Sequence, residues 1–397
     1  FKDSELGRIP ESWEVIPFIE LADKNIKHSF TGGPFGSDLK SEHYTDIGVR
    51  VIQLQNIGDG YFINNDFVYV SEEKAESLKS CQIYPNDIIL AKMAEPVARA
   101  CLIPSFEDKF LMCSDGIRLL VDKNKFSTKY VLEYINYDLF RKIAINRSTG
   151  STRGRIGLTD LKTIPLALPP LKEQEKIAEV LTTWDKAITK QTELLEAKEL
   201  LKIALMQKLL SGEVRFGGFT DEWEEVRLGE IGNSFNGLSG KTGEDFGIGE
   251  AKYITYKNIF DYSKIKLDIF ENVQISNDEK QNLVQFGDIF FTVSSETPEE
   301  VGMSSVLLDN VSNTYLNSFC FGYRLNNFNT LDPYFARFYF RSFQMRDKIS
   351  RLAQGSTRFN LSKNEIMKLK IKLPSLPEQQ KIAEVLSLAD DEINLLK

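Results

Sequence analysis

The chain has 397 residues, of which 42% are hydrophobic and 27% charged, and its formal net charge is −8. This length suits two domains with connectors, and the composition is that of a globular chain rather than a disordered one. The negative charge excludes nucleic-acid binding over the whole surface, so such a role needs local basic patches. No apolar run approaches the roughly 20 residues that span a bilayer. The four cysteines lack CxxC spacing and the chain has two histidines, which predicts no metal site and reduced thiols in a cytoplasmic protein.

The first globular domain, predicted over residues 1–167, alternates short β-rich runs with glycine and proline. Apolar residues at helical spacing over 129–145 predict one amphipathic helix. Strands are predicted at 49–54, 61–63, 67–70, 87–90 and 116–121. This mixture predicts an α+β domain.

A long helix follows, and we predict a helical spacer over 168–213. Its entry reads Leu168-Pro-Pro-Leu-Lys-Glu-Gln-Glu-Lys-Ile-Ala-Glu-Val-Leu181, and proline costs no intrahelical hydrogen bond at a helix start. Apolar residues then recur at alternating spacings of four and three, with a one-residue slip near the middle. This spacing predicts a coiled-coil seam at Ile177, Leu181, Trp184, Ile188, Leu195 and Leu201.

After residue 213 the sequence begins again. Leu373-Pro-Ser-Leu-Pro-Glu-Gln-Gln-Lys-Ile-Ala-Glu-Val-Leu386 matches the first helix entry at 11 of 14 positions, and Gly355-Ser-Thr-Arg358 repeats Gly150-Ser-Thr-Arg153 at the same offset of 205 residues. We therefore predict a second globular domain over 214–372 and a second spacer over 373–397, with seam residues Ile382, Leu386 and Ile393. Ser375 and Glu378 predict a capping box. We expect this spacer to be incomplete, because the match to Leu210 falls beyond Lys397.

Basic residues concentrate around both Gly-Ser-Thr-Arg loops. The net charge is +5 from Arg141 to Lys162 and +8 from Arg337 to Lys372. Glycine turns, hydroxyls and arginine can bind phosphate oxygens, so these two basic islands predict phosphate contacts. A solvated turn and helix face is the alternative, and the repetition of the loop argues against it.

The remaining polar-aromatic loops are at 32–40, 92–99 and 294–297, and the last two occupy equivalent places in the two copies but differ in length and side chains. Divergent loops suit the reading of different base edges, although variable surface loops remain an equal alternative. The residues that we expect to contact DNA are Ser37, Lys40, Tyr44, Lys92, Arg99, Ser151, Thr152, Arg153, Arg155, Lys257, Ser294, Ser295, Ser356, Thr357 and Arg358.

Catalytic motifs are missing from the sequence. Gly240-Lys241-Thr242 is similar to the end of a nucleotide-binding loop, but Phe235 stands where that motif needs glycine, and the glycines that follow do not favour a helix. There is no dinucleotide fingerprint, no adenine-methylation tetrapeptide and no Gly-x-Ser-x-Gly elbow. We therefore predict no catalytic residue and no cofactor bound by this chain.

Taken together, the duplicated domain–helix order, the Gly-Ser-Thr-Arg loop, the helix entry, the Trp-Glu-x-Val openings and Gly-Pro-Phe-Gly-Ser-x-Leu-Lys resemble the specificity subunit of a type I restriction–modification system. The resemblance implies two similar α/β target recognition domains joined by two long helices that pack as an antiparallel coiled coil. Each domain would read one half of a bipartite, asymmetric double-stranded DNA target.

The same resemblance implies that the helices set the half-site spacing and dock two modification (methyltransferase) subunits. Restriction (translocase and nuclease) subunits would join them. S-adenosylmethionine, ATP and Mg²⁺ would bind to these partner subunits and not to this chain. A free-standing DNA nuclease or methyltransferase is the alternative, and a helical scaffold that binds only proteins is a third reading.

Overall fold

The computed structural model describes residues 1–93, 95–150, 154–276 and 278–397. It divides into two compact units, Phe1–Ile188 and Thr189–Lys397, which we call the N-terminal and C-terminal units. The division falls inside the first long helix, Leu171–Ser211. No helix among the described residues combines the length and apolar character needed to cross a membrane.

Two main sheets form the N-terminal unit. The antiparallel four-stranded sheet has the strand order Ala100–Leu102, Ile88–Ala91, Gly116–Leu119, Phe30–Gly32. The five-stranded sheet has the order Tyr44–Thr45, Val68–Val70, Val49–Ile52, Phe110–Met112, Gln82–Ile83, and its third and fourth strands are parallel. Two smaller antiparallel pairs join Lys2–Ser4 to Gly7–Ile9 and Glu14–Pro17 to Pro165–Leu168.

The α-helices of this unit before the first long helix are Glu72–Ser77, Thr128–Asn136, Asp138–Asn146 and Leu158–Lys162. The single helix predicted over 129–145 is therefore two helices, because the backbone at Tyr137 is extended (φ −74°, ψ 143°). The break leaves Val131 and Ile135 of one helix and Phe140 of the next in the same core.

The strand predicted at 61–63 is also wrong, since only Phe62 forms a bridge there, with Ile57. The side chain of Asn56 takes the backbone acceptors of this segment, because its Nδ2 donates to the backbone oxygens of Ile63 (3.1 Å) and Asn65 (2.7 Å). A buried asparagine thus fixes the segment as a loop.

The C-terminal unit repeats this architecture. Its four-stranded sheet has the order Gly232–Asn236, Cys320–Leu325, Ile289–Thr292, Ser304–Val306, and its three-stranded sheet the order Glu271–Val273, Phe246–Ile254, Thr314–Leu316, again with one parallel pair. Shorter pairs join Glu224–Arg227 to Lys370–Leu373 and Ser294–Ser295 to Phe359–Asn360. The α-helices that begin in this unit are Leu228–Ile231, Tyr256–Asp261, Pro333–Tyr339, Phe343–Ser350, Lys363–Lys368 and the second long helix, Leu376–Leu396. The predicted tandem α+β fold is confirmed.

The repeated glutamine of the helix entry fastens each long helix to its own unit. Gln174 accepts the backbone N–H of Ser127 (3.0 Å) and donates to the oxygen of Pro169 (2.8 Å). Gln379 likewise accepts the backbone N–H of Asp332 at 2.9 Å. Ser127 and Asp332 are the N-caps of helices on which the entries pack. In both copies a buried amide accepts and donates at once at the start of the long helix.

Within the C-terminal unit the two long helices are antiparallel. Gln191 Nε2 donates to the backbone oxygen of Leu396 (3.0 Å), and Lys198 pairs with Glu392 (2.6 Å). The seam residues Ile382, Leu386 and Ile393 are buried. This confirms the antiparallel helix pair that the family resemblance implies.

The predicted seam residues of the first long helix are less uniformly buried. Ile177 packs partly buried against the core of the N-terminal unit, and Leu195 is half-buried. Leu181, Trp184, Ile188 and Leu201 are 40% to 65% exposed. Leu209 and Leu210, which the seam omitted, are in the core of the C-terminal unit together with Ile382 and Leu386.

The capping box predicted for Ser375 and Glu378 is wrong. Ser375 stands at the N-cap without a side-chain cap hydrogen bond. The buried Glu378 carboxylate instead accepts two hydrogen bonds from Arg215, Nε to Oε1 at 2.8 Å and Nη2 to Oε2 at 2.7 Å. A bidentate guanidinium is a stronger partner for a carboxylate than a backbone amide.

Candidate nucleic-acid interface

In both units the residues that flank the Gly-Ser-Thr-Arg sequence pair as a small hairpin. Thr149 and Arg155 exchange two backbone hydrogen bonds of 2.9 Å, and Gln354 and Asn360 exchange two of 2.9 and 2.8 Å. Gly355 has φ +130°, and a Cβ there would lie 2.2 Å from a backbone oxygen inside the loop. The loop therefore needs glycine at its first position, and its closure is the same in both copies.

Each hairpin is attached to the segment that follows a central strand of its four-stranded sheet. The N–H of Ile156 donates to the oxygen of Lys92 (2.9 Å), and the N–H of Leu361 donates to the oxygen of Val293 (2.8 Å). The fold thus brings together two regions that the sequence singled out separately: the Gly-Ser-Thr-Arg loops and the divergent loops beginning near residues 92 and 294.

In the C-terminal unit these segments border a cleft of about 650 Å³. The rings of Tyr256 and Phe260 are stacked, with centroids 5.9 Å apart, and Tyr256 Oη donates to the backbone oxygen of Ser294 at 2.7 Å. Burial raises the pKa of the Tyr256 hydroxyl. The cleft is lined by Tyr256, Phe260, Ser294, Ser295, Glu296, Glu300, Phe319, Thr357 and Arg358.

Arg358 is exposed at this cleft. Among the described residues, no carboxylate pairs with its guanidinium. An exposed arginine without an internal partner is available to a phosphate or to a base edge.

The N-terminal unit has a cleft of about 570 Å³ beside its own hairpin, bordered by the glycine loop at 32–36. Lys92 Nζ donates to the oxygen of Ser114 at 3.2 Å, and Arg155 Nη2 pairs with Asp115 at 2.7 Å. Burial, and then the nearby Arg155 cation, lowers the pKa of the Lys92 ammonium. Lys92 and Arg155 bring positive charge to this cleft, and Asp115 neutralises part of it.

The remaining predicted contact residues have varied positions. Ser37, Lys40, Lys257, Ser356 and Thr357 are exposed, Tyr44 is half-buried, and Ser294 and Ser295 are buried. Burial raises the pKa of the Tyr44 hydroxyl. Ser151, Thr152 and Arg153 lie outside the described residues.

Several arginines of the predicted basic surfaces serve the fold instead. Arg99 Nη2 donates to the oxygen of Leu54 at 3.0 Å, and Arg141 pairs with Asp59. Arg341 and Arg346 donate to backbone oxygens of neighbouring loops. Counting charges in the sequence therefore overstates the cations that a phosphate could reach.

The sequence reasoning missed the aromatic and acidic lining of the C-terminal cleft. It named Lys257 but not its neighbours Tyr256 and Phe260, and Ser294 but not Glu300. The alignment of residues 51–57 with 253–259 could have directed attention to this segment. Within the described residues, no group of three or more His, Cys, Asp or Glu side chains is arranged to hold a metal ion.

Comparison with a family model and with curated proteins identifies the family to which the chain belongs. The family model described as "Type I restriction modification DNA specificity domain" matches residues 37–199 and 220–397. The putative type I restriction enzyme MjaX specificity subunit of Methanocaldococcus jannaschii is 25% identical, over 100% of this chain and 91% of that protein. The EcoKI specificity subunit of Escherichia coli is 23% identical, over 76% of this chain and 65% of that protein.

Solved structures share the fold. The HsdS subunit of Thermoanaerobacter tengcongensis superposes with a TM-score of 0.53 at 16% identity, covering 98% of this chain and 92% of that one. The S subunit of a type I restriction–modification system from M. genitalium gives a TM-score of 0.55 at 17% identity, covering 98% and 93%. At these identities the likeness concerns the fold alone.

Proposed function

Because the chain belongs to the family of type I restriction–modification DNA specificity domains, we propose that each of its globular domains reads one half of a bipartite DNA target. The chain is the DNA-recognition subunit of such a complex, and it works with DNA and with partner restriction–modification subunits. A free-standing nuclease or methyltransferase is not favoured, because the relatives across the full chain are specificity subunits.

One observation carries the half-site proposal. In both units a hairpin flanks the Gly-Ser-Thr-Arg sequence, is closed by the same pair of backbone hydrogen bonds and is attached to the segment after the same central strand. The residues that line the two adjacent clefts differ. Shared elements suit the phosphate backbone, which is the same at every sequence, and differing elements suit base edges. Two domains with different cleft linings on one chain predict two different half-sites and therefore an asymmetric target.

The long helices would set the spacing of the half-sites and dock the partner subunits. Leu181, Trp184 and Ile188 are exposed on the first long helix, and an exposed apolar stripe on a helix suits a protein partner. We assign this stripe to the modification subunits, with two of them per chain because the domain–helix unit occurs twice. Restriction subunits would join this assembly in the cytoplasm, with S-adenosylmethionine, ATP and Mg²⁺ bound by the partners.

A duplication experiment tests the half-site proposal. A protein in which residues 1–213 occur twice in tandem, expressed with the modification subunits, should methylate a symmetric target built from one half-site of the natural sequence. Methylome sequencing of a host that lacks other methyltransferases reads the target directly. If the duplicated protein keeps an asymmetric target, one domain does not correspond to one half-site and the proposal is wrong.

A further inference from the structure

The loops beside the two clefts differ in length and in charge. In the N-terminal unit a hydrogen bond from the N–H of Ala91 to the oxygen of Arg99 (2.9 Å) joins the two ends of the loop. In the C-terminal unit the corresponding hydrogen bond runs from the N–H of Thr292 to the oxygen of Met303 (3.0 Å). The C-terminal loop is three residues longer. Its additional length carries acidic residues, and Glu300 lines the cleft.

This acidic loop is held in one conformation. Arg346 donates to the backbone oxygens of Glu299 (2.7 Å), Val301 (2.6 Å) and Gly302 (2.6 Å). Three charge-assisted hydrogen bonds from one guanidinium fix the backbone on both sides of residue 300.

The side chain of Glu300 is also oriented. Ser295, which is 9% exposed, donates from Oγ to Glu300 Oε2 at 3.0 Å. The second carboxylate oxygen, Oε1, has no hydrogen-bond donor among the described residues. Glu300 therefore presents a fixed acceptor to the cleft that Arg358 borders.

A carboxylate in a DNA-binding cleft is repelled by phosphates, so it needs a donor on the DNA to be tolerated there. In the major groove the donors at base edges are the exocyclic amino groups, N4 of cytosine and N6 of adenine. We propose that Glu300 accepts a hydrogen bond from such an amino group and so determines one base pair of the half-site read by the C-terminal unit. This inference rests on the proposed function. Arg358, on the same cleft, binds a phosphate nearby and offsets the repulsion.

Glu299 provides a matched control for Glu300. The two residues are adjacent, both are exposed, and Glu299 is not among the residues that line the cleft. Glu300→Ala and Glu299→Ala each remove one negative charge, so both should strengthen binding to any DNA by the same factor. Only Glu300→Ala also removes the proposed acceptor, so only this variant should change the choice of base.

The test selects binding sites from DNA with a randomised C-terminal half-site, using the full chain assembled with its modification subunits. We expect Glu300→Ala to reduce the preference at one base pair by about tenfold, with Glu299→Ala unchanged. Replacing the selected adenine by purine, or the selected cytosine by pyrimidin-2-one, removes the amino group and identifies which base is read. The analogue should weaken the wild type about tenfold and the Glu300→Ala protein little.

Two results separate the possible failures. If the wild type selects a sequence and Glu300→Ala selects it equally well, the assignment of Glu300 is wrong while the half-site function stands. If the wild type selects no sequence in the half-site assigned to this unit, the proposed function itself is wrong.

Discussion

Arg118 donates from Nε to Oδ2 of Asp87 over 2.7 Å, and both side chains are more than nine-tenths buried. The pair joins two adjacent strands of the four-stranded sheet in the N-terminal unit. Arg324 and Asp288 form the equivalent pair in the C-terminal unit, with Arg324 more exposed to solvent. Burial raises the pKa of the Asp87 carboxyl although Arg118 opposes this shift.

Arg118→Ala should therefore destabilise the N-terminal unit by about 3 kcal/mol at neutral pH, because it leaves a buried carboxylate without its cation. The folded-state pKa of Asp87 would rise further, so the penalty grows as pH rises above the unfolded pKa and shrinks as pH falls toward it. Hydrogen exchange of the sheet amides at several pH values measures both effects. Lys27→Ala, at an exposed position away from Asp87, is the control, and a loss in Arg118→Ala that does not change with pH would contradict the account.

Gln174→Ala should detach the start of the first long helix from the N-terminal unit. The change removes the acceptor of the part-buried Ser127 N–H and the donor to the buried Pro169 oxygen, at a cost of about 2 kcal/mol. Hydrogen-exchange mass spectrometry should show faster exchange in peptides that contain Ser127 in their interior. Gln379→Ala should do the same at Asp332, whereas exposed Gln380→Ala should leave exchange as in the wild type.

Arg358→Ala should weaken DNA binding to the same degree on all sequences, because a phosphate contact carries no base information. The slope of log K against log salt concentration should fall by about 0.9, the contribution of one phosphate contact. Titrations of target and non-target DNA at several salt concentrations measure this. Lys381→Ala, an exposed cation of the second long helix, should leave the slope as it is. A loss of affinity confined to the target would instead make Arg358 a base reader.

Trp184→Ala should weaken assembly with the modification subunits while leaving the stability of the isolated chain almost unchanged. The indole is 65% exposed, so its removal takes little packing from the fold. Analytical ultracentrifugation of the complex and thermal unfolding of the chain give the two readouts. Thr183→Ala, at the exposed neighbouring position, is the control. Normal assembly of Trp184→Ala would remove the exposed stripe from the proposed docking surface.

Glu279 makes the stability of the C-terminal unit depend on pH in the acid range. Hydrogen bonds from Lys241, Gln281 and the backbone of Ser276 lower its pKa to about 2. A depressed folded-state pKa contributes stability that is present above the unfolded pKa, near 4.3, and is lost as pH falls toward 2. Glu279→Gln should therefore flatten the loss of stability between pH 4.3 and 2, as followed by unfolding at each pH. Equal slopes for variant and wild type would contradict this.

The tandem repeat could be predicted from the sequence because the motifs that reveal it are short and local in the chain. The helix entries, the Gly-Ser-Thr-Arg loops and their common offset of 205 residues are visible in the letters alone. Gly355 is required by the local backbone of its loop, and the long helices follow from local periodicity. The architecture of two similar units with long helices was therefore predictable.

Only the tertiary structure decided which charged groups are available to a ligand. Arg99, Arg341 and Arg346 count as basic surface in the sequence, yet the folded chain uses them to bind backbone oxygens from distant segments. Glu378 matched a local capping pattern but pairs with Arg215, 163 residues away along the chain. A charge is drawn to its strongest partner in space, and sequence spacing does not reveal that partner when the contact joins residues far apart in the chain.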